Sequence, residues 1–119
     1  MFGFEKLDVW QKSVEMADAV YRLTREFPDY ERFGLANQMR RAAVSVCANI
    51  AKGSGRGSNK DFSRFIEVAY GSLMELVSHL HIARRREFVT AEVARSLYRQ
   101  ADEIARMLSG LKCHLRQAK

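Results

Sequence analysis

Between Gly34 and Lys60 the chain places Arg40, Arg41, Lys52, Arg56 and Lys60, and not one Asp or Glu. Arg64 follows a turn later. Cations without neighbouring carboxylates can neutralise phosphates, and each phosphate met releases counterions, so such binding weakens with salt. Gln38, Ser45 and Asn49 recur along the same stretch at helical spacing, and their amide and hydroxyl groups can donate between the phosphates. Together these residues are the candidate nucleic-acid contacts. The same stripe suits a solvated or subunit-facing polar face equally well, with its cations paired to Glu67, Glu75, Asp102 or Glu103. For Ser45 and Asn49, hydrogen bonding inside the protein or between subunits is the stronger reading.

Other groupings offer less chemistry. Gly53-Ser-Gly-Arg-Gly57 precedes a helix start, where backbone amides can cradle a phosphate. It is not a Walker A string, and Asp61 would compete for the same positive helix end, so a plain turn is the better reading. His79 and His81 point in nearly opposite directions on a helix and cannot share a metal, whereas Glu75 and His79 can pair. A di-metal carboxylate bundle needs E-x-x-H motifs, and the chain has none. Adjacent Cys113 and His114 splay apart, a poor geometry for a thiol–imidazole nucleophile. No catalytic residue, metal or cofactor is therefore expected. Arg84-Arg85-Arg86 can contact nucleic acid, although a solvated helix end is the commoner outcome for such a run.

A chain of 119 residues suits one domain over 1–119, and 47% hydrophobic with 29% charged residues marks globular material. No apolar run approaches the roughly 18 residues of a spanning helix, so no membrane partner is expected. Met1-Phe-Gly-Phe-Glu-Lys6 lacks the pattern of a secretory signal. Cys47 and Cys113, far apart and without C-x-x-C spacing, read as two reduced core thiols of a cytoplasmic protein. The net charge of +6 is concentrated in the acid-free segment, while residues 1–33 are net acidic. That asymmetry favours a polyanion partner modestly.

The elements that must carry these groups are helical. The chain holds a single proline, and breakers at Phe27-Pro28-Asp29, Gly53–Gly57 and Phe88-Val-Thr90 cut it into four helices, roughly 8–26, 34–53, 59–86 and 91–116. In the first, Asp8 is placed to cap the helix. It carries two apolar stripes: Leu7, Trp10, Val14, Ala17, Tyr21, Thr24 and Val9, Ser13, Met16, Val20, Leu23, Phe27. They lie about 100° apart. That arc suits either two neighbours within one bundle or one neighbour and a second subunit. In the second helix Leu35, Met39, Ala42, Val46 and Ile50 form the core stripe, and Gly53 is placed to end it in the left-handed conformation. Ser58 and Asp61 start the third helix with a capping pattern. Gly71 in mid-helix costs roughly 1 kcal/mol, which a close helix crossing would offset. The fourth helix packs through Val93, Leu97, Gln100, Ile104, Leu108, Leu111 and Leu115, with Tyr98 alongside. Trp10, Tyr21 and Tyr70 sit on apolar stripes and read as core rather than as a stacking platform. Short connections imply an all-α, up-down-up-down antiparallel four-helix bundle.

A family resemblance rests on Leu7-x-Val9-Trp10-Gln-Lys12, Val20-Tyr21-x-Leu-Thr24, Phe27-Pro28, Gly34-Leu35-x-x-Gln38-x-Arg40-Arg41-Ala42-Ala43-x-Ser45, Asn49-Ile50-Ala51, Gly53-x-Gly55-Arg56, Phe62, Phe65 and Gly71-Ser72-x-x-Glu75-Leu76. On these, the chain resembles, nearly end to end, the bacterial four-helix-bundle proteins encoded in intervening sequences of large-subunit ribosomal RNA genes. The resemblance implies a ring-like homo-oligomer, a pentamer. It also points to the accessory proteins of diversity-generating retroelements, implied to bind RNA or DNA and a reverse transcriptase through a basic surface. The chain departs from the pattern at Lys52, where the family usually has an acid, and at Arg86-Glu87-Phe88, where a Leu-Gly-Tyr-like turn is usual. Both changes make the surface more basic. The function expected is a non-catalytic, self-assembling bundle that binds nucleic acid, RNA more than DNA, through the basic face of the second helix and the glycine-rich loop. The alternative is an oligomeric scaffold for a protein such as a reverse transcriptase.

Overall fold

Four amphipathic segments with short connections bury their apolar stripes against one another. In the computed structural model, which describes residues 1–117, they form α1 (Asp8–Thr24), α2 (Leu35–Ser54), α3 (Asn59–Arg85) and α4 (Ala91–Gln117). The last two residues of the expected domain lie outside the described part. Short 3-10 turns at Gly3–Lys6 and Asp29–Glu31 precede α1 and α2. Each helix packs beside two others, in the order α1, α2, α3, α4 and back to α1, and the α2/α3 seam is the most extensive. Cross-helix contacts run antiparallel: Arg40 meets Tyr21 and Thr24, Ser45 meets Ser72, and Glu67 meets Lys112 and Arg116. The bundle measures 48 × 21 × 21 Å.

The core follows the expected stripes. Met16 and Val20 of α1, Met39, Val46 and Ile50 of α2, Ile66, Leu73 and Leu76 of α3, and Leu97, Ile104 and Leu108 of α4 are almost wholly buried. Each buried aliphatic side chain contributes about 1.5–3 kcal/mol relative to exposure. On α1 the Val9–Phe27 stripe is the inward one. The other stripe splits: Ala17 and Thr24 are buried, while Val14 and Tyr21 face solvent.

The ends depart from expectation in physically telling ways. Asp8 is the first residue inside α1, and the cap position falls on Leu7, whose side chain accepts nothing. Asp8 instead supplies negative charge to the positive helix end. Helix α1 stops at Thr24, whose hydroxyl donates 2.7 Å to the Val20 carbonyl. Gly53 does not end α2 in the left-handed region; the helix continues through Ser54, and no glycine has positive φ. Its role is spatial. A Cβ there would stand 2.8 Å from both Phe62 Cδ1 and Phe65 Cβ, so glycine lets α3 close onto α2. Gly71 shows the reverse: a Cβ would meet nothing within 4 Å, so no helix crossing within the chain offsets its propensity cost. At the start of α3, Ser58 Oγ accepts from the Asp61 amide at 3.1 Å, as the capping pattern requires.

Helix α3 ends in a Schellman turn. The Phe88 amide donates to the Ala83 carbonyl and the Glu87 amide to the Arg84 carbonyl, with Glu87 at φ 62°. Glu87 thus holds the left-handed position for which glycine is the usual residue.

Candidate nucleic-acid interface

Gly53 allows α2 and α3 to close on one side, and Thr24 ties α1 to α2 on the other. The outward face left between carries the cations. Arg40, Arg41, Lys52, Ser45 and Asn49, with Tyr21 of α1, line an open groove of about 510 Å³. Arg56 and Arg64 lie instead in a second depression, of about 610 Å³, shared with Asp61, Glu67 and Phe65. Gln38 and Lys60 are exposed and line neither. The candidate residues are therefore divided between two neighbouring surfaces.

Within the first groove the groups differ in freedom. Arg40 is half-buried: its Nε donates to Thr24 Oγ1 at 2.8 Å, its Nη2 to the Tyr21 carbonyl at 3.4 Å, and its guanidinium lies 4.8 Å from the Tyr21 ring centroid. It fastens α2 to α1 and keeps only part of its donor set outward. Ser45 and Asn49 are spent internally, as the plainer reading expected. Ser45 shares a 2.8 Å hydrogen bond with Ser72, and Asn49 Nδ2 donates to the Ser45 carbonyl at 2.8 Å and to its hydroxyl at 3.1 Å. Arg41 and Lys52 are exposed. Among the described residues, neither they nor Arg40, Arg56 or Lys60 makes an ion pair.

The carboxylates that sequence offered as partners are engaged elsewhere. Glu103 pairs with Lys12, Asp102 with Arg106, Glu75 with His79, and Glu67 with Lys112 and Arg116. Lys112 beside Glu67 holds that carboxyl below its ordinary range, by hydrogen bond and charge, with Arg116 and Arg64 adding to it. Arg64 pairs at 3.6 Å with Asp61 of its own helix, and Arg56 rests on the Phe65 ring at 4.7 Å. The α2 groove is the acid-free surface, and the Arg56/Arg64 depression is the mixed one.

Several residues sit differently from expectation. Tyr21, Tyr70 and Tyr98 each expose over a third of their surface, and Cys113 is exposed rather than core. An aromatic at the edge of a stripe satisfies the apolar spacing while one ring face remains in water. Cys47 is half-buried, and burial pushes its thiol up. Tyr30 and Phe33, on the α1–α2 connection, are also exposed. No periodic signal marked them, because they lie outside the helices. No helix among the described residues is long and apolar enough to cross a membrane.

A crystal structure of a protein with unknown function from the S23 ribosomal protein family of Bacteroides thetaiotaomicron superposes with a TM-score of 0.82 at 26% identity, over 87% of this chain and 97% of that one. No curated protein matches the chain significantly. The family model for the 23S rRNA-intervening sequence protein matches residues 5–110. With the bundle architecture and its residue pattern, that match over most of the length places the chain in the 23S rRNA-intervening sequence protein family.

Proposed function

We propose that the protein is a non-catalytic, cytoplasmic, self-assembling bundle that binds nucleic acid along the α2 face. The observation that carries this reading is the groove of Arg40, Arg41 and Lys52, in which, among the described residues, none of these cations has a carboxylate partner. Glu67, Asp102 and Glu103, the acids the sequence offered as partners for these cations, pair with other residues. The preference for RNA over DNA leans on the family's tie to ribosomal RNA genes. Self-assembly is supported by exposed Val14, Val44, Val68 and Met74, and by the uncovered Gly71 among them on α3.

Retention of a labelled RNA oligomer at low salt, weakened in Arg41→Glu/Lys52→Glu, tests the binding. Arg41 and Lys52 serve better than Arg40, whose removal would also loosen α1. Failure of the unaltered protein to retain the oligomer would overturn the binding and leave a scaffold for a protein partner such as a reverse transcriptase. A monomeric mass by light scattering at moderate salt would overturn the assembly; a pentamer is the expected mass.

A further inference from the structure

Arg84, the first of the three arginines that end α3, belongs to a second basic surface, formed by α3 and α4 rather than by α1 and α2. There, near the connection between α3 and α4, lies a groove of about 230 Å³ lined by Leu80, His81, Arg84, Ala94, Arg95 and Tyr98. No carboxylate lines it. Among the described residues none of Arg84, Arg85, Arg86, Arg95 and Arg99 makes an ion pair. Tyr98 is 49% exposed, and His81 stands edge-on to it with ring centroids 6.2 Å apart. The groove therefore combines an apolar floor, two arginines and an accessible aromatic ring.

That combination selects its ligand. Arginines alone would take any polyanion, but a stacking ring flanked by cations suits a nucleotide whose base is free to leave its own stack. A duplex keeps its base faces covered, so only an unpaired strand can use Tyr98. We infer that the α3/α4 groove is a second nucleic-acid site, in which Tyr98 stacks on a base of a single-stranded segment while Arg84 and Arg95 meet the flanking phosphates. The inference rests on the reading of the protein as a nucleic-acid binder, and it places single-strand selectivity on a face separate from α2.

The test measures fluorescence anisotropy of a labelled oligouridylate and of an RNA duplex of equal length, over a range of salt. Tyr98→Ala is expected to weaken oligouridylate binding about tenfold, within the range for one base–aromatic stack, and to leave duplex binding unchanged. Tyr98→Leu, which keeps the apolar cover, should lose as much, separating stacking from folding. Arg84→Gln/Arg95→Gln should make the log–log salt slope for oligouridylate shallower by about 1.4. Unaltered affinity and slope in these variants, beside weakened binding by Arg41→Gln/Lys52→Gln, would overturn this inference alone. Equal losses on duplex and single strand in Tyr98→Ala would overturn it too. No binding by the unaltered protein would overturn both it and the α2 reading.

Discussion

Two glycines inside helices give the sharpest test of the packing that positions the α2 face. Replacing glycine by alanine in an exposed helix interior gains about 1 kcal/mol from backbone entropy and propensity. Gly71 meets that case, because an added Cβ would touch nothing within 4 Å. Gly53 is the penultimate residue of α2, where the propensity term is smaller, and its Cβ would stand 2.8 Å from Phe62 Cδ1 and Phe65 Cβ. The Phe65 Cβ cannot swing aside as a side-chain tip can, so α3 must shift outward. Overpacking of this kind costs about 1–3 kcal/mol. The difference between Gly71→Ala and Gly53→Ala is therefore no smaller than the steric cost, about 2 kcal/mol. Urea unfolding of both variants by far-UV circular dichroism reads it directly, and at roughly 4 °C per kcal/mol their melting temperatures should differ by about 8 °C. Measurement at several protein concentrations separates folding from any assembly that uses Gly71. Equal stabilisation by the two substitutions would refute the close α2/α3 approach at Gly53.

Other perturbations follow from the same contacts. Glu87→Gly should stabilise the fold by about 1 kcal/mol, since Glu87 holds a left-handed backbone that glycine adopts without cost; an unchanged urea midpoint would count against the Schellman turn. Thr24→Val should destabilise by about 1–3 kcal/mol, because the buried hydroxyl both donates to the Val20 carbonyl and accepts from Arg40 Nε; a neutral effect would show that Arg40 is not anchored there. Cys113 should react with a thiol reagent well before Cys47, whose thiol is half-buried and pushed up by desolvation; mass mapping showing the reverse order would contradict that placement. Glu67→Gln should lower stability at neutral pH by a margin that disappears in acid. The carboxyl is held below its usual value of 4.5, so its pairing acts above that pH and is lost as pH falls through the lowered value. A margin independent of pH would mean that the ion pairs with Lys112 and Arg116 do not form.

Periodicity made the bundle legible: the stripes of α2 and α4 name Met39, Ala42, Val46, Ile50, Leu97, Ile104, Leu108 and Leu115, which the structure buries, while Val93, expected on the same α4 stripe, is 41% exposed at the start of that helix. It was less informative at the stripe edges. Tyr21 and Tyr98 keep apolar spacing, yet each lies where a helix turns from its neighbour to water, and spacing cannot tell one side of that boundary from the other. Gly53 carried a helix-end signal, since glycine after a helical run commonly adopts the left-handed conformation. Its actual reason, the approach of Phe62 and Phe65, is a tertiary contact that composition does not encode. The candidate interface was readable as an acid-free run of cations. What was not readable was that Thr24 and Tyr21 hold Arg40, and that Arg56 and Arg64 fall into a separate depression beside Asp61 and Glu67. The α3/α4 groove needed the fold as well, because it joins Arg84 to Arg95 and His81 to Tyr98 across a turn.

The central claim concerns the α2 face, and the salt dependence of RNA binding tests it most directly. Arg41 and Lys52 lie eleven residues apart on one helix, about 16 Å, a span comparable to several successive phosphates. Removing both charges with Arg41→Gln/Lys52→Gln should make the slope of log affinity against log salt shallower by about 1.4 on a single strand. That change is about sevenfold in relative affinity for each fourfold rise in salt. A slope that moves by this amount supports phosphate contact along α2. A slope identical to that of the unaltered protein would contradict it, and would mean that these cations serve the assembly or solvent instead.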